Sequence, residues 1–318
     1  MNITAALELL NSWKLGKEHL HGVQMTHYVK DPKVAHLMLE HGQIRLTKID
    51  EMKGDLEEGK YVLTLYEKAL NELKGEGKIS DKEYGLLINS NFDLDSYLIL
   101  RKVGARYEPL RIHLTPYVIC FCSNDSDQKM RNRYGSDDSI AIKYCINEYY
   151  QSLIVNLPPP EKSSFILVYR VCYDECKVVG AIKEYVSKAI KLDDVDECIH
   201  LVRHMLNKCH LFVKKESLKD ENETRLIFLK PENIEDYPDA LACICDSYMS
   251  LDADGAEVMC KYDSSNDKFV WMDAKKIINS AVLGTCCSYT KEEIERMMRK
   301  ENPNFIVYPH DYRSKWTE

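Results

Sequence analysis

The chain has 318 residues, 45% hydrophobic and 30% charged, with a formal net charge of −8, enough apolar material for a sizeable core. That acidic balance argues against a broad nucleic-acid-binding surface, and no run approaches the roughly 20 apolar residues that cross a bilayer. The opening MNITAALELLNSWKLGKEHLHG has neither a basic segment ahead of an apolar one nor a small-residue cleavage site, so a cytoplasmic protein with no membrane partner is expected.

Read in chain order, residues 3–14 form an amphipathic helix and 23–29 a strand ending in Thr26-His27-Tyr28. Asp31-Pro32 opens a helix through Glu40, with Asp as the cap, Pro in the first turn and Gly42 as the stop. Residues 43–47 make a short strand. Residues 55–106 are rich in Glu, Lys and Leu at helical spacing, with a break at Gly75-Glu76-Gly77-Lys78, and are expected to be a helical insertion within a single domain spanning 1–318. The run YVICFC at 117–122 is a buried strand. Strands follow at 139–144 and 165–171, helices at 174–190 and 193–209, and strands at 210–214 and 225–229. Residues 258–262 and 268–272 read as a hairpin, 277–284 as a strand, 290–300 as a helix with a Thr290/Glu293 capping box, and 305–308 as a last strand. Strands and helices do not alternate regularly, and neither GxGxxG nor GxxxxGK[ST] occurs. The expected class is α+β with a mostly antiparallel sheet.

Twelve cysteines occur and no CxxC pair does. The two CxC pairs, Cys120/Cys122 and Cys243/Cys245, sit in apolar contexts, where buried thiols act as small hydrophobes rather than zinc ligands. No metal is expected.

The densest chemistry lies in Asp220-Glu221-Asn222-Glu223-Thr224-Arg225. On an extended strand Glu221, Glu223 and Arg225 share a face. Two carboxylates one pleat apart raise one another's pKa, and a neighbouring arginine holds at least one ionised. Such a set suits an enzyme that stabilises a cationic transition state; a solvated edge strand with an ion pair is the plainer alternative.

Six motifs in order carry a resemblance: Thr26-His27-Tyr28, Gly42 with Ile44-Arg45-Leu46-Thr47, Met52-Lys53-Gly54-Asp55-Leu56-Glu57, Cys120-Phe121-Cys122-Ser123, Met130 with Tyr134-Gly135, and Lys214 with Glu221 to Arg225. Together they resemble a widespread bacterial family known chiefly as an uncharacterised domain, whose pattern runs His-Tyr-Thr, Asn-Asp-Pro-x-Glu, Cys-Phe-Ser, Met-Trp-x-x-Tyr and Glu-x-Glu-x-Arg. The likeness extends over residues 25 to about 312. Arg131 stands in place of the family's Trp, Val29 in place of Thr, and Lys53-Gly54-Asp55 in place of Asn-Asp-Pro.

More distantly the order resembles the ADP-ribosyltransferase superfamily, in which a split sheet holds NAD as substrate. The resemblance implies a split-sheet fold and an NAD-consuming enzyme acting as a bacterial toxin, effector or phage-defence component on a macromolecular acceptor. It implies Glu223 as the catalytic carboxylate, Glu221 as the acceptor-side partner and Tyr134 in the reaction. His27, Tyr28, Arg45, Ser123 and Arg225 would contact the nucleotide, with an arginine clamping its pyrophosphate. The residue types suit the chemistry, since cleaving the nicotinamide–ribose bond passes through an oxocarbenium-like centre that a carboxylate steadies.

Each residue also has a structural reading: a hydrogen-bonded His27, a solvent-facing Arg45, a turn at Ser123, Tyr134 packing beside a helix-ending Gly135, a solvated Lys214. A nucleotide-binding sensor without turnover is the second functional reading. A metal-dependent hydrolase on Asp55, Glu57, Glu221 and Glu223 is the third.

Overall fold

The computed structural model describes residues 24–41, 44–49, 58–90, 96–103, 106–122, 128–145, 166–192, 194–231, 260–263, 268–271, 278–300 and 302–309. Its strands are β1 (Gln24–Val29), β2 (Ile44–Lys48), β3 (Ser96–Val103), β4 (Arg106–Cys122), β5 (Ile140–Cys145), β6 (Ile166–Arg170), β7 (Glu223–Pro231), β8 (Cys260–Asp263), β9 (Lys268–Trp271), β10 (Ile278–Leu283) and β11 (Ile306–Tyr308). The helices are α1 (Pro32–His41), α2 (Glu58–Gly75), α3 (Asp81–Ile88), α4 (Gln128–Tyr134), α5 (Glu175–Ala189), α6 (Val195–Cys209) and α7 (Lys291–Met298). The expected helix at 3–14 and the loop at 157–161 lie outside the described residues.

The long strand β4 organises the sheet. Its first half makes a hairpin with β3, from Val103↔Arg106 to Ser96↔His113. Its second half pairs antiparallel with β7, from Leu114↔Pro231 to Cys122↔Glu223, and β7 pairs in turn with β6. On the opposite edge β4 meets β2 at Thr47↔Val118 and Lys48↔Tyr117, and meets β1 at Thr26↔Cys122 alone. Beyond β2 stand β9 and β8; beyond β1 stand β5, β10 and a parallel β11. The fold is thus mixed α and β with a mostly antiparallel sheet.

The junction of β1 with β4 is short. β1 pairs with β5 at every one of its positions from Gln24↔Cys145 to Val29↔Ile140, yet touches β4 at one register position. Past that point β1 and β4 diverge, and among the described residues Ile119, Cys120 and Phe121 have no strand on that edge of β4.

Helix starts follow local chemistry. Asp31, Asp174 and Asp194 each accept a backbone N–H two or three residues on, at 2.9, 2.9 and 3.1 Å. Ser80/Glu83 and Thr290/Glu293 form reciprocal capping boxes at α3 and α7. α2 packs on α5 and α6 with Val62, Leu65, Tyr66, Ala69 and Leu70 buried, and this layer shares one continuous core with the sheet.

Two expectations need correction. Residues 55–106 are not helical throughout: the described helices end at Ile88, and 96–103 is β3. A short apolar run such as YLIL carries no periodicity to separate helix from strand, and the facing segment 106–113 supplies its ladder. Residues 210–214 are not a strand either. The amides of Leu211, Phe212 and Val213 return to the end of α6, Leu211 N to Lys208 O at 3.2 Å and Phe212 N to Cys209 O at 3.1 Å, leaving one parallel bridge, Cys172↔Val213.

Gly284 closes the turn after β10 against the loop before β5. A Cβ built there would sit 2.2 Å from Asp137 O and 2.9 Å from Ser139 O, both main-chain atoms. Gly284→Ala should therefore destabilise the fold by about 1–3 kcal/mol through overpacking. Urea unfolding measures it, and wild-type stability would mean that this loop yields freely.

Candidate active site

The acidic motif does not stay in one extended strand. Residues Glu216–Glu221 form a 3₁₀ turn, and Asn222 adopts φ 42° and ψ 52°, a left-handed conformation that asparagine tolerates better than most residues. Strand β7 begins only at Glu223. The three residues expected to share a pleated face are thus split, with Glu221 on the turn and Glu223 and Arg225 on the strand.

The two carboxylates still converge, on a residue contributed by the turn after α6. Lys214 Nζ lies 2.9 Å from Glu221 Oε2 and 2.7 Å from Glu223 Oε2, and all three side chains are nearly sealed from solvent. Arg225 Nε donates to Glu223 Oε1 at 2.7 Å, and its Nη1 donates to Leu211 O at 3.0 Å. On the other flank the Tyr134 hydroxyl donates a short hydrogen bond to Glu221 Oε1, and Arg133 Nη1 approaches that oxygen at 3.2 Å. The Glu223 amide donates to the Tyr173 hydroxyl at 3.0 Å.

This network forms one wall of a cleft of about 460 Å³ beside the short junction of β1 and β4. Thr26, His27 and Tyr28 of β1 line it, with Val118, Ile119, Cys120 and Cys122 of β4, Val34 and Met38 of α1, and Tyr134, Lys214, Glu221 and Glu223. His27 spans the divergence of the strands, its Nδ1 donating to Cys120 O at 2.9 Å. A carbonyl can only accept, so Nδ1 carries the hydrogen and Nε2 of the neutral ring is left as an acceptor.

The chain matches no family model, no curated protein and no solved structure. What the site can do is read from its own geometry.

Burial works against ionising Glu223, but the charges of Arg225 and Lys214 overcome it and hold the carboxyl at about 2. Glu223 is a permanent anion at neutral pH. Burial, and then the same anion, push the Cys120 thiol well up, so it stays protonated and donates to Glu223. Burial, followed by the bond to Glu221, also raises the Tyr134 phenol, which remains a donor.

Burial lowers the pKa of His27, against the hydrogen bond to Cys120 O that favours the charged form. Burial similarly depresses His204, and holds His210 at about 4. A lowered native pKa means the unfolded chain binds protons first as pH falls, so stability is full above about 6.5 and declines below it. Urea unfolding should show a loss between pH 6.5 and 4, of order 3 kcal/mol from His210 alone once fully developed. Glu223 adds its own loss only below about pH 4.5, toward 2. Equal stability at pH 7.5 and 5 would mean the buried imidazoles titrate normally.

Of the residues singled out in the sequence, His27, Tyr28, Tyr134, Glu221 and Glu223 come together on this cleft. Arg225 does not line it. It is wholly buried behind Glu223, its fork divided between that carboxylate and the Leu211 carbonyl, so the nucleotide contact expected of it is not one the cleft presents. Arg45 sits on β2 opposite Val270 of β9, and its side chain lies outside the described residues, as do Ser123, Asp55 and Glu57. Two side chains were undervalued. Lys214, expected as a solvated lysine able to reach a phosphate, is the buried bridge of the site, and Cys120, expected as a small hydrophobe, is a donor in the cleft wall. Four apolar or aromatic-like residues before Lys214 (His210 to Val213) were the available sign that the chain enters the core there.

Proposed function

We propose that the cleft binds NAD and cleaves its nicotinamide–ribose bond, as an ADP-ribosyltransferase or NAD glycohydrolase of the kind that bacterial toxins, effectors and phage-defence components employ. The observation that carries this reading is the convergence of His27, Tyr134, Glu221 and Glu223 on one cleft where a mostly antiparallel sheet divides. In this reading Glu223, ionised and held by two cations, faces the positive charge that develops at the ribose carbon. The Nε2 lone pair of His27 accepts from a ribose hydroxyl. Tyr28 or Tyr134 offers a ring for the nicotinamide, and Val34, Met38 and Ile119 supply an apolar wall.

Protein incubated with nicotinamide-labelled NAD should release the label, and Glu223→Gln should slow release about 100-fold or more. Tyr134→Phe, which leaves the Lys214 bridge intact, gives a second variant in case Glu223→Gln fails to fold. No release by the wild type ends the enzymatic reading.

One observation favours a sensor without turnover: all four oxygens of the two carboxylates already have internal partners. A thermal-shift screen with NAD, ADP-ribose and cyclic nucleotides separates the two. Stabilisation by a nucleotide with no nicotinamide released identifies the sensor.

A further inference from the structure

Cys120 touches both walls of the cleft, with different parts of itself. Beyond the Thr26↔Cys122 pair β1 and β4 diverge, and on that edge the Cys120 carbonyl receives the His27 imidazole at 2.9 Å. Its side chain belongs to the other wall. Residues two apart on a strand share a face, so Cys120 and Cys122 project together with Glu223 and Arg225, through the pairs Cys120↔Arg225 and Cys122↔Glu223. Cys120, Cys122, His27 and Glu223 all line the cleft, and the Cys120 thiol bonds the Glu223 carboxylate. Arg225 and Lys214 each reach one oxygen of that carboxylate at 2.7 Å and set its charge. The thiol ties it to the strand that holds His27.

Resting on the NAD-cleaving reading, we propose that Cys120 is a positioning residue, which fixes the Glu223 carboxylate relative to His27 so that a single ribose meets both. The two contacts separate cleanly. The one to His27 is made by the main chain and survives any side-chain change at position 120, whereas the one to Glu223 needs the thiol hydrogen. A thiol is a weak donor and adds little to ground-state binding. Its effect falls on the transition state, where a carboxylate displaced by a fraction of an ångström no longer faces the developing charge.

The test compares the whole chain with Cys120→Ala and Cys120→Ser in nicotinamide release, and records the S–H infrared stretch of the wild type minus Cys120→Ser without NAD. Cys120→Ala should lower kcat about tenfold with KM within about twofold, and Cys120→Ser, which restores a donor, should recover most of the loss. The difference band should lie below that of a free thiol, a signature that packing alone does not produce. Cys120→Ala as fast as the wild type overturns the proposal. So does Cys120→Ser as slow as Cys120→Ala, since bulk and not the donor would then matter, and so does a band at the free-thiol position. Each of these leaves the NAD-cleaving reading standing, whereas absence of nicotinamide release by the wild type removes both together.

Discussion

Lys214→Met should cost about 3–5 kcal/mol of stability at pH 7.5, the range found when one partner of a buried ion pair is removed. Methionine matches the length of the stem and keeps the packing, so the loss isolates the charge. Glu221 and Glu223 would then face one another with Arg225 and the half-exposed Arg133 as the flanking cations. Two carboxylates so placed cannot both stay ionised, and one must be protonated near neutral pH. That reverses the sign of the pH dependence at this site: a carboxyl whose native pKa is raised stabilises the fold at low pH and loses that contribution as pH rises. The variant should therefore recover part of its deficit between pH 7.5 and 5.5, against the histidine trend of the wild type. Adding Glu221→Gln should recover more. Urea unfolding of the single and double variants at both pH values measures this, and a single variant as stable as wild type would place the bridge in solvent.

Arg225→Ala should be comparably damaging, about 3–5 kcal/mol, for a different combination of causes. Arg225 is the largest side chain sealed among the described residues, and its removal leaves a void, an acceptor at Leu211 O without that donor, and Glu223 with Lys214 as its close cation. The loss far exceeds the roughly 1 kcal/mol of an exposed ion pair. Arg225→Lys should recover only part, because one ammonium cannot serve both the carboxylate and the carbonyl that the divided guanidinium now serves. Glu223 should titrate higher in either variant, so under the proposed NAD-cleaving function nicotinamide release should show an acidic limb shifted toward neutral pH. A variant with wild-type melting temperature and an unshifted profile would detach Arg225 from the site.

Most elements were legible because their signals are local. Asp31-Pro32 and Thr290 with Glu293 state helix starts within four residues, and alternation or apolar runs mark β1, β5, β7 and β10. β3 was not legible, since its strand character comes from the facing half of β4. The site followed the same division. The same-face relation of Glu223 and Arg225 follows from a two-residue period and appears as a 2.7 Å ion pair. Lys214 was hidden because lysine is ordinarily a surface residue, and only three-dimensional closure shows two glutamates awaiting it. Asn222 breaks the strand at a position where charge alternation alone suggests continuity.

The bridged carboxylates also have a particular place in the order of folding. Lys214 and Glu221 are seven residues apart, Glu223 and Arg225 two, and Arg225 meets the Leu211 carbonyl across fourteen. Loops of that size close in tens of nanoseconds and at low entropic cost, so the ionic wall belongs to a segment able to organise by itself. The opposite wall is remote: Tyr134 reaches Glu221 across 87 positions, and His27 reaches Cys120 across 93. Those contacts wait for the whole sheet to assemble, which makes the closing of the cleft a late event and leaves any half-folded chain with its acids in place but no opposite wall to face them.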